Sequence, residues 1–154
     1  MDREAGQIFR DIGMPMVAEF EPRTLTELEV AQRDGLLWVA ADEDGAPASF
    51  LMAVALDGCL YVDQPSTAPA SARRGLGRAL LDRAADQARA DGLPALTLTT
   101  FADVPWNGPY YERCGFRVLR DAEITPGLRA IRAHENALGL DRWPRVCMRR
   151  DVTP

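Results

Sequence analysis

The most informative stretch of this chain is ARRGLGRALL, residues 72–81, in which a glycine-rich turn runs directly into an amphipathic helix. Such a turn leaves backbone N–H groups unpaired at the positive end of a helix, where they suit a phosphate. Arg73, Arg74 and Arg78 surround the turn, and a guanidinium can bind phosphate oxygens through two hydrogen bonds. The sequence therefore predicts a phosphate-binding site here.

Two common phosphate loops do not fit this stretch. A Walker A loop needs a lysine, and the chain contains none. A dinucleotide-binding fingerprint needs a third glycine, and Leu80 stands at that position. That fingerprint also normally follows the first strand, whereas three extended segments precede residue 72 here.

A second motif, WNGPYYERCGF, follows at residues 106–116. It predicts a short helix that carries Tyr110 and Tyr111 and ends at Gly115. The run ALTLTT at residues 95–100 is rich in β-branched and apolar residues and predicts a strand between the two motifs. A phosphate turn, a strand and a tyrosine helix in this order have few common uses.

Residues 72–81 resemble the pyrophosphate motif of the GNAT superfamily of N-acetyltransferases, Q/R-x-x-G-x-G/A, through Arg74-Gly75-Leu76-Gly77. Residues 106–116 resemble the later N-x-x-x-Y-x-x-x-G-F element of the same family, through Asn107, Tyr111, Gly115 and Phe116. The resemblance covers residues 36–120 well and the flanks loosely. It implies an α/β fold with a mixed sheet, in which an antiparallel meander precedes a parallel strand–helix–strand crossover that is splayed to hold acyl-CoA.

The resemblance further implies acetyl-CoA as the cofactor. Its pyrophosphate is expected on the N–H groups of residues 73–78, and its pantetheine arm along residues 66–68. The cofactor-binding residues expected on this basis are Ser66, Thr67, Ala68, Arg73, Arg74, Gly75, Leu76, Gly77, Arg78, Asn107 and Tyr111. Asn107 is also expected to cap the tyrosine helix.

Acetyl transfer to an amine needs a base, because an alkyl ammonium with a pKa of roughly 10 is not a nucleophile. Asp63 is the first candidate, with Glu19 and Glu21 as alternatives; an aspartate at a strand end is also often only a solvated group. Tyr111 stands where the family commonly places a general acid for the leaving thiolate, and its alternative is an aromatic packed on the sheet. A backbone N–H near Thr67 could stabilise the oxyanion.

One domain, residues 1–154, is predicted from the length. Helices are predicted at residues 2–12, 24–33, 77–90, 107–114 and 126–138. Strands are predicted at residues 36–41, 49–56, 59–63, 95–100, 116–119 and 146–152. The dipeptide Asp57-Gly58 predicts a hairpin, and Leu80, Leu81, Ala84, Ala85 and Ala88 form a narrow apolar stripe on the third helix.

Composition limits the function classes. A net charge of −5 argues against general nucleic-acid binding and is compatible with an amine-bearing substrate. No apolar run approaches the ~20 residues that span a membrane. Cys59, Cys114 and Cys147 are widely spaced, which favours reduced thiols in a cytoplasmic protein. With His134 as the single histidine, no metal site is expected.

Three functions remain open at this level. The first is an acetyl-CoA-dependent N-acetyltransferase acting on a small-molecule or peptide amine. In that case Phe101 and Trp106 either line the acceptor pocket or only pack their own loop. The second is a catalytically weak acyl-CoA-binding or regulatory module, because one carboxylate fewer precedes the glycine turn than in relatives. The third is a nucleotide- or dinucleotide-binding enzyme, for which the chain lacks the lysine and the third glycine named above. The resemblance also makes a homodimer an expectation, with residues 146–152 as a candidate contact.

Overall fold

The computed structural model describes residues 25–41, 43–63, 66–67 and 75–152. The helices are α1 (Leu25–Arg33), α2 (Leu76–Ala90), α3 (Gly108–Arg113) and α4 (Pro126–Ala137). The strands are β1 (Leu37–Ala41), β2 (Pro47–Leu56), β3 (Cys59–Val62), β4 (Ser66–Thr67), β5 (Ala95–Phe101), β6 (Arg117–Val118) and β7 (Arg145–Asp151). Short 3₁₀ turns lie at Asp121–Glu123 and Leu140–Arg142.

Several predictions fall on other parts of the chain. The helix at residues 2–12 and the candidate bases Glu19 and Glu21 lie outside the described residues. So do three of the expected cofactor-binding residues, Ala68, Arg73 and Arg74. The remaining predicted helices and strands are confirmed, with bounds that move by at most two residues.

The chain forms two compact units, of which the first comprises the described parts of residues 1–53 and 63–83. Here β2 pairs antiparallel with β1, with Leu37 opposite Met52, and antiparallel with β4, with Ser49 opposite Thr67. The predicted helix at residues 24–33 is α1, and Gly35 follows it at a φ of 74°. A left-handed residue just past a helix end is the usual glycine stop.

The second unit comprises residues 54–62 and the described residues from 84 onward, and its strand order is β3-β5-β7-β6. β3 runs parallel to β5, which confirms the predicted crossover, and β7 runs antiparallel to both β5 and β6. The unit is therefore an α/β arrangement with a mixed sheet. Because β7 lies between β5 and β6, the strand proposed for dimer contact is not an edge over its middle residues, and the homodimer stays a prediction.

The two short strands β3 and β4 both lie next to β2. β3 also pairs with β5, through Leu60 and Tyr61, whereas Ser66 and Thr67 form β4, which pairs with β2 alone among the described strands. β4 is not among the predicted strands, since two residues give no periodic signal. The pairing of β3 with β5 ends at Tyr61 opposite Thr97. The splay that the resemblance implies stays a prediction.

The β2–β3 hairpin also positions α4. Asp57 and Gly58 have φ values of 52° and 77°, as a two-residue turn matching the twist of a β-hairpin requires. The Asp57 carboxylate accepts a hydrogen bond from the Gly127 N–H at 2.8 Å, in the first turn of α4. A carboxylate at this end of a helix is favoured by the unpaired N–H groups there.

Most of the described core is apolar. All seven residues of β5 are buried, as expected for a strand that is covered on both faces. The predicted stripe of α2 is also buried in full: Leu80, Leu81, Ala84, Ala85 and Ala88. Under α4, Tyr61, Leu119, Leu128 and Cys147 form a cluster. Among the described residues, no helix is both long and apolar enough to cross a bilayer.

Gly108, at the start of α3, packs closely against the backbone at the end of β5, and a substitution tests this contact. A Cβ there would lie 2.6 Å from the backbone oxygen of Ala102 and 3.1 Å from that of Phe101. Because backbone atoms cannot move aside without disturbing β5 and its loop, we expect Gly108→Ala to lower the free energy of unfolding by about 1–3 kcal/mol. Urea denaturation measures this loss.

Gly127→Ala is the control, since a Cβ at Gly127 would meet only side-chain atoms of Asp57 and Leu56, which can rotate. Its loss should be smaller. An equal or greater loss at Gly127 would contradict the proposed rigidity of the contact at Gly108.

Candidate functional site

The predicted phosphate turn lies in the first unit and leads into α2. Gly75 has a φ of 77° and is exposed, and its carbonyl accepts the Ala79 N–H at 3.0 Å. A positive φ favours glycine, because other L-residues pay a penalty there. The first turn of α2 contains no acidic residue, and Arg78 in that turn is exposed. Free helix N–H groups, a neighbouring cation and no competing carboxylate are the features that an anion needs.

Asp63 and β4 belong to the same unit. Asp63 is half-buried, and its backbone N–H donates to the Met52 carbonyl at 2.8 Å. This bond keeps Asp63 beside β2 one residue after β3 ends. The backbone of Ser66 and Thr67 then pairs with Phe50 and Ser49. The candidate base and the segment expected along the pantetheine arm are thus attached to one strand, β2.

The tyrosine helix lies in the second unit. Tyr111 is 2% exposed, with its ring edge-on to Tyr110 at 5.3 Å and to Phe116 at 5.7 Å between centroids. Burial raises the pKa of the Tyr111 phenol well above its usual value near 10, and the neighbouring Tyr110 and Cys114 add to the rise. Tyr111 is therefore a neutral phenol at physiological pH and can donate a hydrogen bond.

The predicted capping role of Asn107 is wrong. Asn107 stands at the N-cap of α3 and is buried to 3%, but its side chain makes no capping hydrogen bond within the described residues. Its backbone angles, φ −117° and ψ −109°, differ from the extended conformation that usually brings a cap side chain over the helix end. Its carbonyl instead accepts the Tyr111 N–H at 2.8 Å, which fixes the start of the helix.

The two aromatic residues considered for the acceptor pocket differ in placement. Phe101 is 3% exposed, with its ring edge-on to Trp143 at 6.1 Å and the Arg145 guanidinium 4.4 Å above it. This favours a packing role for Phe101. Trp106 is half-buried. His134, for which no functional role is predicted, is exposed.

The second unit contains a buried polar network that the sequence does not predict. Glu135 of α4 accepts two hydrogen bonds from Arg145, at 3.2 and 2.9 Å, and one from Arg132 at 3.0 Å. It also accepts the Thr99 hydroxyl at 2.6 Å. The Arg145 side chain is 4% exposed and that of Glu135 is 12% exposed, so the ion pair is largely shielded from water.

The single hydroxyl proton of Thr99 fixes the direction of the next bond. Because that proton goes to Glu135, the Tyr61 hydroxyl must be the donor in its 3.2 Å contact with Thr99. Arg145 also donates to the Thr99 oxygen, at 3.3 Å. The chain of donors therefore runs from β3 through β5 to α4.

Only a weak signal in the sequence points to this network. Thr99 follows an alternation of threonine and leucine that is ordinary for a strand, and Arg145 and Glu135 lie 46 and 36 residues from it. Charged residues on a helix and at a strand end are usually solvated. Cys147 lies nearby, and burial raises the pKa of its thiol, which keeps it protonated and unreactive.

The described residues contain no cluster of three His, Cys, Asp or Glu side chains that could hold a metal ion. All three cysteines are free and buried. The described residues therefore define an α/β fold in which a helix begins at a glycine turn and a phenol is buried, features expected of acyltransferases that use a nucleotide-bearing thioester.

A sequence model of the Acetyltransferase (GNAT) family matches residues 6–116, more than half of the chain. The chain belongs to the GNAT acetyltransferase family. The match includes both the glycine turn and the tyrosine helix, which agrees with the resemblance found from those two motifs.

Solved structures show the same fold. N-acetylglutamate synthase from Neisseria gonorrhoeae, in complex with coenzyme A and N-acetyl-glutamate, is 15% identical, with a TM-score of 0.69 over 99% of this chain. The chain spans only 32% of that protein's length. The ribosomal-protein-S18-alanine N-acetyltransferase from Escherichia coli is 20% identical, with a TM-score of 0.62 over 88% of this chain and 81% of its own.

A third similar structure is an acetyltransferase of the GNAT family from Staphylococcus aureus, 10% identical, with a TM-score of 0.65 over 99% of this chain and 91% of its own. At such identities the likeness establishes the fold and leaves the acceptor open.

The buried network predicts a large effect for a small chemical change. Glu135→Gln keeps the shape of the side chain but leaves Arg145 without its counter-charge in a shielded position. We expect the free energy of unfolding to fall by about 3 kcal/mol, as when one partner of a buried ion pair is removed. Urea denaturation at neutral pH measures it.

Glu112→Gln on the exposed face of α3 is the matched control and should change the stability by less than about 0.5 kcal/mol. Equal effects of the two substitutions would show that the network does not stabilise the fold.

Proposed function

We propose that this protein transfers the acetyl group of acetyl-CoA to a primary amine of a small molecule or peptide, by direct attack of the amine on the thioester. The observation that carries the proposal is the Gly75 turn at the start of α2. It combines a left-handed glycine, an acid-free first turn and an exposed Arg78. Family membership and the coenzyme A held by the similar N-acetylglutamate synthase support it.

In this proposal the helix start binds the pyrophosphate. Residues 75–78 supply backbone N–H groups, and Arg73, Arg74 and Arg78 supply positive charge in a chain whose net charge is −5. Ser66, Thr67 and Ala68 carry the backbone groups for the pantetheine arm, and Asn107 contacts the cofactor from the start of α3. Acetyl-CoA supplies the activated acyl thioester.

The amine must lose a proton as its nitrogen bonds to the thioester carbon. Asp63 is our candidate acceptor of that proton, through water, because its half-buried carboxyl follows β3 directly. The carbon–sulfur bond then breaks and the electron pair stays on sulfur. A backbone N–H near Thr67 would stabilise the oxyanion that forms between these two events.

Tyr111 is proposed to stabilise the leaving thiolate. Since burial raises its pKa well above 10, its phenol is a weaker acid than a thiol of pKa roughly 8.5. Complete proton transfer to sulfur is therefore unfavourable, and the phenol acts best as a hydrogen-bond donor to the thiolate.

The chemical class of the acceptor amine is proposed from the similar proteins. The names of the similar proteins denote acetylation of glutamate in one case and of a protein alanine in the other. Both kinds of amine are therefore kept in the proposal. A cytoplasmic location is also proposed, and the three free, buried cysteines support it.

Binding of acetyl-CoA is the first prediction of this proposal. At about 100 times its dissociation constant, acetyl-CoA should stabilise the folded chain by roughly 2.7 kcal/mol and raise the thermal midpoint by several degrees. Coenzyme A should do the same and NAD should not. Gly75→Ala should weaken the binding about tenfold, because alanine disfavours a positive φ by roughly 1–2 kcal/mol.

Gly75→Asn is the matched variant, since asparagine tolerates the left-handed conformation and should retain most of the affinity. A midpoint that acetyl-CoA does not move would overturn the proposal. If acetyl-CoA binds but no amine of a broad panel causes release of free thiol, the chain would instead be an acyl-CoA-binding module without efficient catalysis.

Loss of the Tyr111 hydroxyl should affect turnover and not binding. We expect Tyr111→Phe to lower kcat by about 100-fold, as for loss of one hydrogen-bond donor to a developing negative charge, while the dissociation constant of acetyl-CoA stays unchanged. Thiol release and calorimetry measure the two quantities. Tyr110→Phe, at the neighbouring tyrosine, should behave like the wild type. Equal turnover of both variants would remove Tyr111 from the mechanism.

A further inference from the structure

A cavity in the second unit lies between the 3₁₀ turn at Asp121–Glu123, α4 and β7. Its volume of about 390 Å³ is at the lower end of the range for small-molecule sites, roughly 300–1,000 Å³. One part of its wall is apolar and consists of Leu119, Ile124, Val146 and Cys147. The other part is charged and consists of Arg129, Arg132, Arg145 and Asp121.

The charged wall is rich in arginine, although the chain as a whole is negative. Three guanidinium groups face one carboxylate in the lining, whereas the net charge of the chain is −5. Glu135 and Asp141, which bind Arg132 and Arg145, are not lining residues. These two carboxylates therefore hold the arginines in place without covering the cavity.

Each arginine keeps donor capacity for a ligand. Arg145 uses Nε and Nη2 on Glu135, which leaves Nη1 without a partner in the described part of the chain. Arg132 uses both of its terminal nitrogens, on Glu135 and Asp141, and Arg129 uses both of its own on Asp121. The Nε–H groups of Arg132 and Arg129 have no partner among the same residues.

We propose that this cavity binds the carboxylate of a small organic acid. A planar carboxylate accepts hydrogen bonds from guanidinium N–H groups in a geometry that suits both, and the apolar wall takes a short hydrocarbon chain. The ion pairs with Glu135 and Asp141 already order Arg145 and Arg132, so little side-chain freedom is lost on binding. Each terminal guanidinium nitrogen also carries a second N–H, and the apolar wall suits the hydrocarbon part of an organic acid better than it suits inorganic phosphate.

The site goes beyond acetyl transfer and does not depend on it. The carboxylate could belong to the amine acceptor or to a separate effector, and both present the same chemistry to the arginines. The test therefore measures binding first, without acetyl-CoA, and assigns the source afterwards.

Calorimetry of the full chain with butyrate tests the proposal, with butyramide as the uncharged ligand of the same shape. Butyrate should bind saturably and butyramide should not. Arg129→Gln should weaken butyrate binding about tenfold, as for loss of one charged hydrogen-bond donor. Asp121→Asn should tighten it, because this substitution removes the one negative charge from the lining.

These two variants break the same ion pair from opposite sides, at 3.4 Å. If the pair served only the local fold, both substitutions would change binding in the same direction, and that result would overturn the site. Arg89→Gln is the control for charge: Arg89 is also helical, half-exposed and paired with an aspartate, but does not line the cavity. An equal loss in Arg89→Gln, or tighter binding of inorganic phosphate than of butyrate, would also overturn it.

The source of the carboxylate is assigned by thiol release with 4-aminobutyrate and 4-aminobutyramide as acceptors. A preference for the acid that Arg129→Gln abolishes supports a site for the acceptor. Saturable butyrate binding with no such preference supports a site for an effector. Calorimetry with butyrate needs no catalysis. A failure of the proposed carboxylate site can therefore be distinguished from a failure of the proposed acetyl transfer.

Discussion

The pairing of β5 is the constraint on which the rest of the second unit depends. All its residues are buried, so each of its backbone N–H and C=O groups that faces a neighbour needs a partner. β7 satisfies one side over the full length, from Ala95 opposite Asp151 to Phe101 opposite Arg145. On the other side β3 satisfies only the first part, at Leu60 and Tyr61.

A parallel pair such as β3 and β5 cannot be joined by a tight turn and needs a crossover. The crossover helix is α2, and a helix in this position must begin after the chain has left the sheet. Its free N–H groups therefore occur where the glycine turn ends. The candidate phosphate site follows from the same connection that makes the sheet mixed, and Gly75 supplies the positive φ directly before α2 begins.

Local signals predicted much of this fold. Asp57-Gly58 and the stripe of α2 act over a few residues, and the structure confirms both. The failures involve side chains whose role depends on distant partners. Asn107 has the residue type of a cap, but the loop before it sets a backbone conformation in which its side chain does not cap. The partners of Thr99 are 36 and 46 residues away, and no spacing rule connects them.

The absence of lysine from the chain has a structural consequence at Arg145. This side chain donates two hydrogen bonds to Glu135 and a third to Thr99, and its guanidinium carbon lies over Phe101, 4.4 Å from the ring centre. A lysine ammonium is compact and strongly hydrated, so it could not make a two-point contact with the carboxylate and stack on the ring at once. Burying it to the same extent would also favour its neutral form, which removes the charge that Glu135 needs. Composition alone could explain arginine on the surface, but at this buried position the geometry itself requires a guanidinium.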